Sequence, residues 1–312
     1  MSVPKDMGAA FIAGDWGTSN SRFMLCAAQG QCLDIRKGPG AADSRGRFAE
    51  VFDAATGEWQ RQGRLPAVLC GMVGAAIGWL EMPYLPCPAD LGELADAPGN
   101  PREGISLVPG MRCTNPLGAP DVMRGEETQL LGALALVPAL ASGRHLVCLP
   151  GTHTKWASLH DGVVQEFLTA PTGELFAVLC EHSMLVREDA APFEHHAPDF
   201  ERGLAEAAKH PGNLLYQIFH ARSLRLDKQL SAGGAPSWVS GLLIGADVGG
   251  ALNLFDSHEA VAPILVIGAS HLVESYSVAL ARRGRKAVGI DGEQASLAGL
   301  TQIFRALQRN KS

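Results

Sequence analysis

The chain has 312 residues, of which 46% are apolar and 19% charged, and its formal net charge at pH 7 is −6. This composition is typical of a globular protein with room for about two domains, and it argues against a disordered chain. A net acidic chain lacks the overall positive charge that attracts nucleic acid or anionic lipid, so we expect no nucleic-acid and no membrane partner. Any anion that the protein binds must be held by local groups.

The predicted elements alternate between strands and helices. The first half contains a strand-turn-strand hairpin (11–28), a helix (47–63), a buried strand (67–70), short strands and loops (79–120) and a helix (128–140). The second half contains strands (146–149, 156–159, 163–168), helices (173–186, 199–226, 240–254), a strand (264–267), a helix ending near 283, a short strand (287–288) and a helix starting near 294. This alternation predicts the α/β class.

Cysteine usage and the absence of membrane signals indicate the compartment. The seven cysteines form no CxxC pair and mostly stand in apolar stretches, as buried thiols do in a reducing environment. The N-terminus lacks the long apolar region of a signal peptide, and the longest apolar stretch, residues 130–141, is too short to span a bilayer. We therefore predict a soluble cytoplasmic protein.

Two similar turns follow buried strands 134 positions apart. They read Gly17-Thr18-Ser19-Asn20-Ser21-Arg22 and Gly151-Thr152-His153-Thr154-Lys155. Each begins with Gly-Thr, ends on a basic residue, and precedes a strand and a Gly turn. Either two short turns are similar by chance, or the chain holds two equivalent lobes whose turns face each other across a cleft. We predict lobes at 1–118 and 119–295, with the helix 296–312 joined to the first.

These turns have the chemistry of an anion site. Glycine lets a ligand approach the backbone, successive N–H groups form a nest, and Arg22 and Lys155 add positive charge. Asp15, at the end of the first strand, could hold Mg²⁺ directly or through water, or it could simply cap the turn. No Gly-Lys dipeptide, GxGxxG turn after a strand or HExxH motif offers another recognised site.

A second cluster, Arg124-Gly125-Glu126-Glu127-Thr128-Gln129, opens an apolar helix. Its two carboxylates could merely complement the helix dipole. Alternatively, one could be a general base, since phosphoryl transfer needs positioning, a metal ion and an acceptor for the hydroxyl proton. Adjacent helix residues point about 100° apart, so only one of the two can face an acceptor.

Taken in order, the motifs resemble the 2-dehydro-3-deoxygalactonokinase family of the actin/Hsp70/sugar-kinase superfamily. The segments that carry this resemblance are Asp15-Trp16-Gly17-Thr18-Ser19-Asn20, Gly71-Met72-Val73-Gly74 with Gly78-Trp79, Val122 to Gln129, Pro150 to Trp156, Thr172-Gly173-Glu174-Leu175, Ser240 to Ala246 and Gly268-Ala269-Ser270. The resemblance implies an α/β, two-lobed actin-like ATPase (ribonuclease H-like) fold with the nucleotide cleft between the lobes. It also implies that ATP phosphorylates the 6-hydroxyl of 2-dehydro-3-deoxy-D-galactonate, a step of galactonate breakdown.

The same resemblance implies the site residues, with ATP and Mg²⁺ as cofactors. Asp15 would help to hold Mg²⁺, and the phosphates would be lined by Gly17, Thr18, Ser19, Arg22, Gly151, Thr152, Thr154 and Lys155. The adenosine would lie on Gly268, Ala269 and Ser270. The expected substrate-side residues are Gly71, Met72, Trp79, Arg124 and Glu174, with Arg124 on the sugar-acid carboxylate and Trp79 alternatively in the core.

The catalytic aspartate of related kinases is replaced here by glutamate. Matching Gly-Asp favours Glu126 and matching Asp-Thr favours Glu127, and we choose Glu126 as the base.

Two other functions are compatible with the same motifs. The protein could be a kinase for 2-keto-3-deoxygluconate or another aldonate, or a non-catalytic sensor that binds ATP or a sugar. The small-molecule partner is thus a sugar acid, and the sequence leaves a homo-oligomer open.

Overall fold

The computed structural model describes residues 8–186, 195–231, 233–255 and 262–310. The chain packs into two compact units. The first comprises Met1–Gly143, Leu159–Phe167 and Asp291–Ser312, and the second comprises Arg144–Ser158 and Leu168–Ile290. The boundary predicted at residue 118 differs from this division, because residues 119–143 pack with the first unit. The predicted position is a hairpin turn, in which Asn115 N donates to Ala119 O at 2.8 Å.

The described residues form fifteen strands and eight α-helices. The strands are β1 (Ala9–Trp16), β2 (Asn20–Ala27), β3 (Cys32–Pro39), β4 (Ala67–Gly71), β5 (Tyr84–Pro86), β6 (Ala89–Asp90), β7 (Gly99–Arg102), β8 (Ile105–Leu107), β9 (Gly110–Thr114), β10 (Pro120–Met123), β11 (Arg144–Leu149), β12 (Thr154–His160), β13 (Val163–Ala170), β14 (Ile264–Gly268) and β15 (Ala287–Asp291). The helices are α1 (Phe48–Thr56), α2 (Glu126–Leu136), α3 (Thr172–His182), α4 (Ala197–Lys209), α5 (Leu214–Leu226), α6 (Ala235–Phe255), α7 (Ser270–Arg282) and α8 (Gly292–Arg309).

The larger sheet of the first unit has the strand order β3-β2-β1-β4-β8-β7, and a smaller one has the order β10-β9-β5. The inner strand β1 runs antiparallel to β2 and parallel to β4. Residues 11–14 of β1 form a continuous buried run, the pattern of a strand whose two faces are both covered by packed elements. Pairing places Asp15 opposite Arg22 on one side and Cys70 on the other. The predicted hairpin is thus present, and its polar end lies where β1 leaves the core.

Aromatic residues form the core beneath this sheet. The rings of Trp16 and Phe23 are 5.1 Å apart, and those of Phe23 and Phe52 are 5.6 Å apart, both edge to face. Phe52 comes from α1, which is shorter than the helix predicted over 47–63 because it ends at Thr56, before Gly57.

Helices α2 and α8 pack closely enough that glycine is required at their crossing. A Cβ on Gly132 would collide with the carbonyl oxygen of Ala295, and one on Gly299 would collide with that of Thr128. Helix α8 also packs against β1 and β4. The crossing therefore fixes the start of α2, which carries the two adjacent glutamates, relative to the end of β1.

The second unit is built on strands in the order β15-β14-β11-β12-β13, with β11 and β14 parallel. The first part of β13 belongs to the first unit, where Val163 and Val164 pair with Asp90 and Ala89 of β6. The single helix predicted over 199–226 is wrong: α4 ends at Lys209 and α5 begins at Leu214. Pro211 and Gly212 separate them, and Gly212 has φ of +86°, a conformation that interrupts a helix.

Helix α6 is the one described helix long and apolar enough to cross a membrane by length and composition, with a mean hydropathy of 1.3. Half of the most apolar 18-residue stretch of this helix is buried within the protein. A Cβ on Gly203 of α4 would collide with the carbonyl oxygen of Trp238, and one on Gly241 would collide with that of Phe200. Such close contact with α4 is the pattern of a core helix.

Candidate functional site

The first Gly-Thr turn is held from behind by its own backbone. Gly17 N donates to Asn20 O at 2.9 Å, and the N–H groups of Ala41 and Ala42 donate to the carbonyls of Gly17 and Thr18 at 3.0 and 3.1 Å. The side chains of Thr18 and Ser19 are exposed. Residues 40–42 thus occupy carbonyls of the turn, while the exposed side chains of Thr18 and Ser19 are accessible to a ligand, as an anion site needs.

Asp15 lies beside this turn, at the end of β1. Its Oδ2 accepts a hydrogen bond from Ser296 Oγ at 3.0 Å. Burial raises the pKa of Asp15, while the hydrogen bond from Ser296 and the charge of Arg22 oppose that rise. Arg22 is itself paired at 2.5 Å with Glu293, in the first turn of α8. Arg22 is therefore a neighbour of Asp15 that already has a carboxylate partner.

The two adjacent glutamates differ in environment. Glu126 is partly exposed, and its Oε2 accepts from Arg124 N at 3.0 Å. Glu127 is fully buried, and its two oxygens accept from Gly125 N at 2.6 Å and Thr128 Oγ1 at 3.1 Å. Burial and, secondarily, the charge of Glu126 raise the pKa of Glu127 to about 8. At neutral pH Glu127 is therefore mostly protonated.

The thiol of Cys70 connects these groups. It lies near both Thr128 and Asp15, and burial together with the charges of Asp15 and Glu127 raises its pKa well above the ordinary value. The end of β4 thus brings Asp15 and the start of α2 to the same corner of the first unit. The sequence motifs lie more than 100 positions apart, yet the fold places them together.

Arg124 has an incompletely satisfied guanidinium. Its Nη2 donates to Met82 O at 2.8 Å, and its guanidinium carbon lies 4.3 Å from the centre of the Tyr84 ring. Its Nε and Nη1 are buried and have no hydrogen-bond partner among the described residues. Buried donors without acceptors are costly. A carboxylate is the group that a guanidinium fork matches best.

The other predicted substrate-side residues are not all grouped with Arg124. Gly71, with φ of +86°, lies close to Gly125, where a Cβ would be 3.5 Å from the Gly71 Cα, and Met72 follows it. Trp79 instead packs on the edge of the aromatic core, with Arg102 5.6 Å above its ring. Glu174 belongs to the second unit, where it lies 2.7 Å from His153 Nε2.

The second Gly-Thr turn rests on the start of α3. Glu174 N donates to Thr152 O at 2.9 Å, and a Cβ on Gly173 would collide with Gly151 O. Thr152 and His153 are exposed, whereas Thr154 and Lys155 are buried. Lys155 Nζ donates to Thr169 Oγ1 at 2.8 Å. The two turns are therefore less alike than their sequences suggest, because Arg22 is partly exposed and Lys155 turns inward.

Sequence reasoning missed Asp247, the one charged residue of α6. It accepts from Tyr276 Oη at 2.6 Å, Thr172 Oγ1 at 2.7 Å and Trp156 Nε1 at 2.8 Å. Burial raises the pKa of Asp247, and the hydrogen bonds from Tyr276, Thr172, Trp156 and Thr154 lower it. A lone acid in an otherwise apolar helix was the available sequence signal, because a buried carboxylate needs donors.

A cavity of about 660 Å³ lies within the second unit, next to the second turn. It is bounded by Gly151 of the turn, Thr172 and Gly173 of α3, and the first turns of α7. Its walls are mainly apolar, with Phe176, Leu243 and Ile244 among them. Ala269 and Ser270 are exposed at the start of α7, and Gly268 packs against Pro150. A cavity of this size and lining suits a planar organic group with a few polar contacts.

The described residues contain no group of three or more His, Cys, Asp or Glu side chains arranged for a metal ion. Magnesium does not need such a cage, since it commonly keeps several waters and binds through one or two carboxylates and phosphate oxygens. The carboxylate of Asp15 could serve as such a ligand, with phosphate oxygens and water as the others.

Comparisons with known proteins give a consistent result. The sequence matches the family described as 2-keto-3-deoxy-galactonokinase over residues 15–303. The 2-dehydro-3-deoxygalactonokinase of Escherichia coli is 34% identical over 303 residues, covering 96% of this chain and 99% of that protein. A crystal structure from Sinorhizobium meliloti, provisionally named 2-dehydro-3-deoxygalactonokinase, is 33% identical, covers 95% of this chain and 99% of its own, and has a TM-score of 0.86.

A more distant likeness concerns the fold alone. The activator of the 2-hydroxyisocaproyl-CoA dehydratase from Clostridium difficile, solved with bound ADPNP, is 11% identical to this chain. It covers 96% of this chain and 97% of its own, with a TM-score of 0.51.

Proposed function

The chain belongs to the 2-keto-3-deoxy-galactonokinase family, and we propose that it transfers the γ-phosphoryl group of ATP to the 6-hydroxyl of 2-dehydro-3-deoxy-D-galactonate. The observation that carries this proposal is the match of nearly the whole chain, residues 15–303, to that family. The predicted α/β fold of the two-lobed actin-like ATPase kind is confirmed. The reaction would serve galactonate breakdown in the cytoplasm.

The nucleoside would occupy the cavity of the second unit. Its apolar walls suit a base. The exposed Ala269 and Ser270, which the resemblance predicts to contact the adenosine, directly precede His271, a residue that lines the cavity. The adjoining Gly151 and Thr152 would contact phosphate oxygens. Thr154 and Lys155, being buried, would support this turn from within rather than contact the phosphates through an exposed side chain.

The first unit would supply the first Gly-Thr turn, also for phosphate oxygens, and the metal site. Gly17, Thr18 and Ser19 offer two exposed hydroxyls, and Arg22 would add charge if it exchanged Glu293 for a phosphate. Asp15 would hold Mg²⁺ directly or through water. When bound, the ion would neutralise developing charge on the phosphate oxygens.

We assign the general base to Glu126 rather than Glu127. A base must be unprotonated at working pH and able to reach the acceptor hydroxyl. Glu126 is partly exposed, whereas Glu127 is buried and mostly protonated at neutral pH. Glu127 would instead hold the Gly125 turn, so that Glu126 keeps its orientation.

Arg124 would bind the sugar-acid carboxylate. Its two buried nitrogens without a described partner are the strongest structural support for an anionic acceptor. Gly71 and Met72 would lie beside that carboxylate, since Gly71 is adjacent to Gly125. The roles predicted for Trp79 and Glu174 stay predictions, and each of these side chains already has a partner, Arg102 and His153.

The test is ADP release from ATP with a panel of sugar acids. We expect 2-dehydro-3-deoxy-D-galactonate to have a higher kcat/KM than 2-keto-3-deoxygluconate and other aldonates. Preference for another sugar acid would show that the protein is a kinase with a different substrate. ATP binding without turnover of any sugar acid would favour a sensor. The homo-oligomer that the sequence leaves open stays a prediction, which light scattering would measure.

A further inference from the structure

Asp247 is the one charged residue of the apolar helix α6, and several protein groups donate hydrogen bonds to its carboxyl group. Three hydrogen bonds of 2.6 to 2.8 Å reach its two carboxylate oxygens, from Tyr276, Thr172 and Trp156. The Tyr276 hydroxyl is also 2.8 Å from Thr154 Oγ1. A carboxylate can accept about four hydrogen bonds, so this one is close to saturated by protein donors.

The partners of Asp247 come from separate elements that surround the second Gly-Thr turn. Thr154 and Trp156 begin β12, directly after the turn, and Thr172 is the first residue of α3. Tyr276 lies in α7, one helical turn and a half after the exposed Ser270. Asp247 itself is in α6. A single carboxylate therefore joins four elements of the second unit.

The exposed part of the turn is held by the start of α3. Thr152 and His153 are exposed, both contact Glu174, and Gly173 lies close against Gly151 and Thr152. The turn is connected to Asp247 on both sides. On one side Thr154 contacts Tyr276, which donates to Asp247, and on the other side Thr172 of α3 donates to Asp247 directly. Thr172 and Tyr276 also line the cavity assigned to the nucleoside.

We propose that Asp247 is a positioning residue for the nucleotide: it touches no phosphate, but it fixes the Gly151–His153 turn against α3 and α7 in the shape that binds phosphate. The proposal rests on the proposed function for its ligand, a nucleoside polyphosphate. Preorganisation is valuable there because ordering a loop on binding costs affinity. It predicts a defect specific to the nucleotide, not one shared with the sugar acid.

The matched control is Asp34 in the first unit. Like Asp247, it accepts a hydrogen bond from an indole, Trp59 Nε1, at 3.0 Å. It also accepts hydrogen bonds from Arg36 Nε and Ile35 N. It lies near the start of β3, outside every motif assigned to ligand binding. Each aspartate accepts an indole hydrogen bond on its carboxyl group, and asparagine replaces one of the two carboxyl oxygens by an NH₂ group, so a general effect of that change would appear in both variants.

The experiment compares Asp247→Asn, Asp34→Asn and the wild type by calorimetric titration with ADP, at a temperature well below each Tm. We expect the Kd of ADP and the KM of ATP to rise about tenfold or more in Asp247→Asn, with the KM of the sugar acid within about twofold of wild type. Asp34→Asn should lower Tm and leave the Kd of ADP unchanged. If Asp247→Asn does not fold, Tyr276→Phe, which removes one of the donors, should raise the Kd of ADP by about threefold or more.

Wild-type affinity for ADP in folded Asp247→Asn would overturn the proposal, and so would an equal loss of affinity in Asp34→Asn. If only Tyr276→Phe can be tested, its having wild-type affinity for ADP would overturn it as well. These results are distinguishable from failure of the proposed function, in which the wild type would bind ADP but phosphorylate no sugar acid.

Discussion

Ser296 donates a hydrogen bond of 3.0 Å to Asp15, a residue 281 positions earlier in the chain. The bond joins α8 to the end of β1, beside the first Gly-Thr turn. Burial raises the pKa of Asp15, and Ser296 is the strongest of the groups that oppose the rise. Ser296 therefore helps to keep a carboxylate available at the site where we propose that Mg²⁺ binds.

Replacing Ser296 by alanine removes this donor. We expect Ser296→Ala to raise the Mg²⁺ concentration that gives half-maximal activity by about tenfold, since a hydrogen bond to a charged group contributes about 1.5–3 kcal/mol. The measurement is a Mg²⁺ titration of the initial rate. Ser223→Ala, which removes an exposed hydroxyl bound to a carbonyl of its own helix, is the control and should leave the titration unchanged. An unchanged titration in Ser296→Ala would count against Asp15 as the metal ligand.

The two glutamates of α2 should respond differently to conversion into glutamine. Glu126→Gln should lower kcat by about 100-fold or more, the usual contribution of a general base. Glu127→Gln should keep most of the activity, because glutamine resembles the protonated acid already present. Single-turnover rates at pH 7 measure both. The reverse order of effects would transfer the role of base to Glu127.

The raised pKa of Glu127 predicts how the free energy of unfolding depends on pH. The folded chain holds the Glu127 proton up to about pH 8, whereas the unfolded chain releases it near 4.5. The folded state therefore binds more protons between these values, and the contribution of Glu127 to stability is lost as the pH rises toward 8. Urea unfolding at pH 5 and pH 8 should show a smaller fall in the free energy of unfolding for Glu127→Gln than for the wild type. Equal falls would mean that Glu127 has an ordinary pKa.

Arg124 and Arg102 offer a matched comparison in the first unit. Both guanidinium groups lie over aromatic rings, but Arg102 has a bidentate pair with Asp53 at 2.7 and 2.8 Å, whereas Arg124 has two buried nitrogens without a described partner. Arg124→Gln should raise the KM of the sugar acid by about tenfold to 100-fold with the KM of ATP unchanged. Arg102→Gln should affect Tm more than either KM. If the sugar-acid KM responds to Arg102 and not to Arg124, the carboxylate lies nearer Trp79.

The close crossing of α2 and α8 predicts a coupled loss of stability and activity. A Cβ at position 299 would overlap Thr128 O, so Gly299→Ala should destabilise the protein by about 1–3 kcal/mol and displace the start of α2. Gly250→Ala is the control, because no atom lies within 4 Å of its added Cβ and alanine favours the helix. Denaturant unfolding and kcat are measured together. A stable, fully active Gly299→Ala would show that the crossing tolerates more separation than its geometry indicates.

The sequence allowed the alternating elements and the first hairpin to be predicted, because buried apolar runs and Gly turns are local signals. It misled where a break was subtle, as at Pro211 and Gly212, which separate two helices that read as one. Lys155 was predicted to end the second turn and to supply positive charge to the phosphates. A strand begins at Thr154, and the structure turns the lysine inward to Thr169.

Contacts between distant elements could not be read from local pattern. Asp247 looks like an isolated acid until Trp156, Thr172 and Tyr276 converge on it from three other elements. The proximity of Asp15 to Ser296 likewise depends on how α8 packs against β1. The resemblance to a family identified both glutamates as candidates for the base, but only the fold distinguishes a buried Glu127 from a partly exposed Glu126.

We propose that this chain phosphorylates the 6-hydroxyl of 2-dehydro-3-deoxy-D-galactonate with ATP as the phosphoryl donor. The most direct measurement is phosphorus and carbon NMR of a reaction that contains the protein, ATP, Mg²⁺ and that sugar acid. We expect one new phosphate monoester, whose phosphorus is coupled to carbon 6 and whose amount equals that of the ADP formed. An unchanged sugar acid, or phosphate attached at another carbon, would contradict it.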